Sequence, residues 1–286
     1  AEFYNSFRYK LYCISVKVSL AFMTMKTCNI IAPLVFDDVF TASDFDNTLY
    51  FRGHFKKDDL KAIKAFQEAG GKFGVCTGRP LLGIVAPTLG KIKYDFYICN
   101  SGGAIYDQNR DVLMMKKIPL DLARELISKV HVDVSIIHNE KMLFYYYKKI
   151  PKILHPHQRV LKSLDSIDDD FIMGMSFHFP KGQLAEAKAC TDMINEQYFD
   201  HMSAFQNNEH VDICANGCSK GAGLKFIEDY FNTPHHKVGA IGDSFNDISL
   251  LQAGGVSFTF DYGPDDLKKE ADYIVGSVGE SLKYLL

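Results

Sequence analysis

The sequence predicts an α/β fold in which a doubly wound parallel sheet is interrupted by an α+β insert. Three observations point to it. Apolar strand-like runs alternate with helical patterns over residues 39–108 and resume over residues 209–286, the rhythm of parallel strands joined by crossover helices. From about Pro119 the strand patterns come in pairs instead, as in an antiparallel sheet. Several strand runs also end directly in acidic or glycine-containing loops, and open α/β sheets keep their chemistry beyond the carboxyl ends of their strands.

With 286 residues, 47% of them hydrophobic, the chain can bury a large core and divides most naturally into two domains. The net charge of -3 and the lack of a Lys/Arg block argue against a nucleic-acid footprint, although a small phosphorylated partner needs only local positive groups. Seven cysteines without a C-x-x-C pair read as reduced core thiols of a cytoplasmic protein, not as a disulfide frame or a metal site. Residues 1–38 form an N-terminal extension. There Arg8 and Lys10 precede the apolar stretch from Leu11 to Met25, but Lys17 interrupts it and no small-x-small cleavage site follows. Neither a signal peptide nor a membrane span is assigned. Met23 and Met25 are candidate internal starts, and Asp37-Asp38 lacks the alternation of the acidic pair that follows it.

The first core strand, from Val39 to Ala42, runs into Ser43-Asp44-Phe45-Asp46-Asn47-Thr48-Leu49. Alternation puts Asp44 and Asp46 on one side and turns Phe45 into the core. Two adjacent carboxylates repel unless a hard cation such as Mg²⁺ shares them, and an aspartate held ionised there can attack phosphorus; a solvated turn is the alternative reading of any D-x-D. Asp58 then suits the cap of a helix with Leu60, Ile63 and Phe66 on one face, ended by Gly70-Gly71. The strand from Lys72 to Cys76 leads to Thr77-Gly78-Arg79-Pro80. A Thr hydroxyl and a Gly N–H at a helix start can donate to a phosphate oxygen, or simply cap and turn the chain.

A third strand, from Tyr94 to Cys99, ends in Asn100-Ser101-Gly102-Gly103, before a hairpin of Ala104 to Tyr106 with Val112 to Met114. The insert reads as a helix from Leu120 to Val130, strands at 134–137, 143–147 and 171–179, a helix from Leu184 to Tyr198, and two short strands around Ala204 and Val211. Tyr145-Tyr146-Tyr147 are sheet residues, and His155-Pro156-His157 is a surface loop. The core rhythm resumes with a helix opened by Ser219-Lys220-Gly221, then a strand from Val238 to Ile241 ending in Gly242-Asp243-Ser244-Phe245-Asn246-Asp247. A lysine at a helix start opposes the dipole, so Lys220 serves a ligand or faces solvent.

These four motifs, in this order, resemble those of the haloacid dehalogenase superfamily of phosphotransferases. The matches are Asp44-Phe45-Asp46-Asn47-Thr48, then Thr77-Gly78-Arg79, then Lys220, then Gly242 to Asp247. The short stretch 45–76 leaves no room for a large cap, whereas 78–219 does, and a cap there is similar to that of the Cof-like sugar-phosphate phosphatases. The resemblance implies a Rossmann-like core at 39–108 and 209–286 and an α+β type IIB (C2) cap at 109–208. Two positions depart from the family pattern: Asn47 stands where a Gly is usual, and the region around Tyr262-Gly263 replaces an Asn-Ala.

The family mechanism, carried onto these residues, makes Asp44 the nucleophile that becomes an aspartyl-phosphate and Asp46 the acid and then the base. Mg²⁺ is expected on the Asp44 carboxylate, the Asp46 carbonyl and Asp243. The Phe45 N–H, Thr77, the Gly78 N–H, Lys220 and Asn246 are expected to hold the phosphoryl oxygens. Asp247 is expected to orient Lys220 or the metal site, and Arg79 to reach the substrate or form a salt bridge. The implied activity is Mg²⁺-dependent hydrolysis of small phosphorylated metabolites. A phosphomannomutase-like transferase is the alternative enzyme, although only Arg110, Arg124 and Arg159 occur in or beside the cap. A silent phosphate-binding regulator is a third reading, disfavoured because Asp44, Asp46 and Asp243 are all present.

Overall fold

The computed structural model describes residues 38–51, 53–132, 134–139, 142–146 and 157–285. The extension up to Asp37, with Met23 and Met25, and the positions Tyr147, His155 and Pro156 lie outside the described residues.

The chain enters the core as β1 (Phe40–Ser43), four buried residues. Helix α1 (Lys57–Glu68) starts ahead of Asp58, so Asp58 and Asp59 occupy its first turn, facing the positive end of the dipole, and do not cap it. Ile63 and Phe66 bury its apolar side, and Gly70, at φ 98°, turns the chain out. Strand β2 (Lys72–Cys76) leads to α2 (Leu81–Thr88), with Pro80 as its N-cap. Then come β3 (Phe96–Cys99) and the hairpin β4 (Ala104–Asp107) and β5 (Val112–Met115).

The insert contains α3 (Leu120–Lys129), β6 (Val134–His138), β7 (Leu143–Tyr146), β8 (Gln158–Leu161), β9 (Gly174–His178), α4 (Leu184–Gln197), β10 (Met202–Asn207) and β11 (His210–Ala215). The core resumes with α5 (Lys220–Phe231), β12 (Val238–Ile241), α6 (Ile248–Ala253), β13 (Val256–Phe260), α7 (Asp265–Glu270), β14 (Tyr273–Val275) and α8 (Val278–Ser281).

The core sheet runs in the order β14-β13-β12-β1-β2-β3-β4-β5. Its first six strands are parallel, and the β4–β5 hairpin extends one edge antiparallel. Alternation divides the side chains of β3 between two cores. Phe96 and Ile98 join Phe40, Leu224 and Ile227 on one face, while Tyr97 and Cys99 join Ile63, Phe66 and Phe73 on the other. The sheet is therefore doubly wound, as expected. Strand order reverses between β1 and β12, which puts the acidic loop after β1 in the crevice at that switch.

The insert sheet runs β8-β7-β6-β9-β11-β10. Helices α3 and α4 cover one face, where Ala123, Leu126 and Ile194 pack on Ile137, Phe177 and Ile213. Alternation leaves Tyr145, Ser176 and Asp212 on the opposite face.

Four details differ from the sequence expectation. The insert sheet is mixed, because β7 and β8 pair in parallel; β8 carries only Val160 and Leu161 as aliphatic residues, too little alternation to announce a strand. The run 171–179 is broken at Met173, which is buried in the core cluster with Tyr97 and Tyr106 instead of the insert's own core. Residues 171–172 pair with Ile118–Pro119, and only β9 joins the insert sheet. Finally, β5 belongs to the core sheet and β11 to the insert sheet, so sheet membership changes after Met115, inside the expected 109–208, and again after Ala215, beyond its end. Among the described residues no helix is long and apolar enough to cross a membrane.

The loop after β3 holds three successive left-handed residues, Asn100, Ser101 and Gly102, at φ 53°, 52° and 89°. A Cβ on Gly102 would lie 2.1 Å from the carbonyl oxygen of Ser219 at the head of α5. Gly102→Ala is expected to destabilise the protein by at least ~1–2 kcal/mol from the backbone alone. Urea unfolding measures this, and a wild-type midpoint would show that the two segments can separate freely.

Candidate active site

Three strand ends and one helix start converge on the switch point. Asp44 continues β1: its N–H donates to Ile241 O at 2.8 Å, so the first carboxylate is tied to the end of β12. Phe45 turns into the core and is fully buried, stacked on Tyr50 with centroids 5.2 Å apart. Asn47 takes the left-handed conformation at φ 61°, the geometry for which Asn is the best substitute for Gly. Asp46 lies at the mouth of the site, its side chain 40% exposed.

Lys220 is the hub. As the first residue of α5 it is 1% exposed, and its ammonium donates to Asp44 Oδ1 and Asp247 Oδ1, each at 2.5 Å. Burial opposes its charge, but Asp247 and Asp44 outweigh burial and hold it protonated well above the ordinary lysine range. The expected conflict with the helix dipole is thus settled by two buried carboxylates.

Asp247 explains its own burial through its partners. One oxygen takes Lys220 and the other accepts the N–H groups of Asp243 and Ser244 at 3.0 Å each, closing a capping box with Ser244. This fixes the turn that presents Asp243 and Asn246. Thr48 Oγ1 donates to Asp243 Oδ1 at 2.6 Å. Ser244 Oγ donates to Asn246 Oδ1 at 2.5 Å, leaving the Asn246 amide hydrogens as its free donors.

The electrostatics call for a cation. Carboxylate oxygens of Asp44, Asp243 and Asp247 lie within 4.8 Å of one another, against a single buried ammonium. Burial first, then Asp247, pushes the Asp44 carboxyl well up despite Lys220; the same two causes raise Asp243 to about 6. Such a set fits a hard divalent ion. Both Asp247 oxygens are already engaged, so Asp44 and Asp243 are the better ligands and Asp247 the residue behind them.

Thr77 and Gly78 follow β2. Thr77 Oγ1 accepts the Arg79 N–H at 3.1 Å, keeping its own hydroxyl hydrogen for a ligand. The left-handed loop supports this turn from below: Ser101 N–H donates to Thr77 O and Asn100 N–H to Arg79 O, each at 3.0 Å. Arg79 forms the salt bridge that the sequence left open, a two-point pair with Asp46 at 2.5 and 2.7 Å, with its guanidinium 5.0 Å from the Phe45 ring centre. The expected residues therefore divide into a buried group of Asp44, Lys220, Asp243 and Asp247 and a mouth pair of Asp46 and Arg79, with Thr77, Gly78 and Asn246 on the adjoining turns.

Sequence reasoning missed two residues. Thr48 had a role only as a motif position. Asp212 comes from β11: a Cβ on Gly78 would lie 2.6 Å from Asp212 Oδ2. Its one sequence signal is an acid between Val211 and Ile213 in an apolar strand.

Over residues 41–281 the sequence matches the family described as haloacid dehalogenase-like hydrolase. It is 21% identical over 249 residues to the 5-amino-6-(5-phospho-D-ribitylamino)uracil phosphatase YitU of Bacillus subtilis, covering 81% of this chain and 89% of that one. The fold is similar to that of a haloacid dehalogenase-like hydrolase from B. subtilis, with a TM-score of 0.74 at 20% identity over 86% of this chain and 99% of the other. It is also similar to the subclass IIB sugar phosphatase BT4131, with a TM-score of 0.71 at 19% identity over 86% and 98%. The family match spans all four motif loops and the insert between them, so this chain belongs to the haloacid dehalogenase-like hydrolases.

Proposed function

We propose that this phosphatase hydrolyses small phosphorylated polyhydroxy metabolites, sugar phosphates or similar, through an aspartyl-phosphate on Asp44, with Mg²⁺ as its cofactor. One observation carries the reading: the carboxylate at the end of β1 is held by a buried lysine beside a second carboxylate, with Asp46 two residues on at the mouth. The names of two similar proteins, a phosphoribityl compound phosphatase and a sugar phosphatase, support the substrate class. The free thiols of the described cysteines support a cytoplasmic setting.

Asp44 attacks phosphorus in line, forming its P–O bond as the ester P–O bond breaks. Asp46 gives its proton to the departing alkoxide. Asp46 then takes a proton from the water that attacks the aspartyl-phosphate, returning Asp44 and releasing inorganic phosphate. Arg79, which holds both Asp46 oxygens, must release the carboxyl for Asp46 to reach the leaving oxygen and the water. Lys220, Thr77, the Gly78 and Phe45 N–H groups and Asn246 bind the phosphoryl oxygens; donors of this kind typically contribute ~3 kcal/mol to the transition state. Mg²⁺ on Asp44, the Asp46 carbonyl and Asp243 supplies charge neutralisation at the transferring group.

Phosphate release from a panel of sugar phosphates, polyol phosphates and an aryl phosphate tests the proposal; it is expected to need Mg²⁺ and to stop with EDTA. Asp44→Asn is expected to lower kcat by at least ~10³-fold with an unchanged circular dichroism spectrum. Retained turnover in that variant would remove the nucleophile assignment. A separate check uses pH. Because Asp243 titrates at about 6 when folded and near 4 when unfolded, the native chain holds the extra proton between those values. In EDTA, wild-type stability relative to Asp243→Asn is therefore expected to fall as pH rises from about 4 to about 6, by on the order of 2 kcal/mol. Urea unfolding at both pH values measures it, and a flat or rising difference would contradict the assignment.

A further inference from the structure

The insert turns a polar face toward the phosphate-binding loops, and its charge is one-sided. Register places Tyr145, Ile136, Ser176 and Asp212 in one cross-strand row on that face. Both ends of the row meet the core. Tyr145 lies within electrostatic reach of Arg79, and its hydroxyl accepts Gln158 Nε2 at 3.3 Å. Asp212 lies against Gly78, where an added Cβ would be 2.6 Å from its Oδ2, and within electrostatic reach of Lys220 and Asp46. Ser176 hydrogen-bonds the Asp212 carboxyl from the neighbouring strand.

Two residues further along the same strands, the rings of His178 and His210 meet edge to face with centroids 4.1 Å apart. Burial, reinforced by His210, lowers His178 to about 4, so it stands uncharged at neutral pH. Among the described residues of this face there is no lysine or arginine, and Asp212 is its one acid. A phosphoryl dianion is collected from the core side by Lys220 and the Thr77-Gly78 turn. Burial raises the Asp212 carboxyl from the ordinary aspartate range, opposed by the Ser176 hydrogen bond and by Lys220; as an acceptor facing the Gly78 turn it attracts hydroxyl or N–H donors and disfavours a second anion.

We propose that Asp212 is a specificity-determining residue: it accepts hydrogen bonds from the hydroxyl groups of a neutral leaving alcohol and rejects leaving groups that carry a carboxylate or a second phosphate. This rests on the phosphatase reading of the same site. Ser176 acts through it as a positioning residue, holding the carboxyl where the leaving group passes.

The test compares kcat/KM for glucitol 6-phosphate with that for 6-phosphogluconate, which differs by a carboxylate at the far end, and with fructose 1,6-bisphosphate; p-nitrophenyl phosphate reports whether the site turns over at all. Wild type is expected to prefer glucitol 6-phosphate over either anionic ester by at least ~30-fold. Asp212→Asn is expected to shrink that preference at least ~10-fold, and Ser176→Ala to shift it in the same direction by less. Should Asp212→Asn fail to fold, the wild-type ratio and Ser176→Ala still decide. A wild type that hydrolyses the aryl ester yet accepts 6-phosphogluconate equally well, or variants that scale all esters alike, would overturn the role of Asp212 and leave the phosphatase reading standing. Failure of wild type to hydrolyse even the aryl ester with Mg²⁺ would overturn that reading, and this one with it.

Discussion

The buried ammonium of Lys220 is the interaction on which the rest depends. It joins Asp44, 176 positions away in sequence, to Asp247, 27 positions on, and so ties the end of β1 to the turn after β12 through the first residue of α5. Taking an ammonium out of water is costly unless it is paired and its donors are satisfied. Here two carboxylates meet that cost, and the second is fixed by backbone N–H groups of its own turn. The local excess of carboxylate that results is the feature of this cluster that suits a cation.

Constrained backbone between the core strands β3 and β4 supports this cluster. The left-handed run Asn100–Gly102 braces the Thr77-Gly78-Arg79 turn by two hydrogen bonds and sits directly on Ser219, the cap of α5. Strained backbone persists where its surroundings enforce it, commonly at functional sites. Met173 adds a tie from the insert, reaching into the core cluster with Tyr97 and Tyr106. Because the insert helices occupy one face of its sheet, the other face is left to look across the mouth of the site.

Local signals made much of this legible. The D-x-D loop, the T-G-R turn and the Gly242 to Asp247 loop each follow an apolar run, and in the structure each follows a parallel strand. What failed was information carried by pairing. Strand β8 has too few apolar residues to show a period, and the break at Met173 depends on a contact with the core instead of the neighbouring sequence. Asp58 lies inside α1 and not at its cap, a shift of the size that terminal turns commonly show.

By itself, the sequence determined the strand ends that carry chemistry, because period-2 burial and the polar residues that interrupt it are encoded within a few neighbouring positions. It also determined the order of core, insert and core. Only the tertiary structure decided which charges meet: that Lys220 pairs with Asp44 and Asp247, that Arg79 grips Asp46, and that Asp212 reaches Gly78 from the insert. The physical reason is that an ion pair depends on distance through space and on removal of water. Both are fixed by how sheets and helices pack over separations of tens to hundreds of residues.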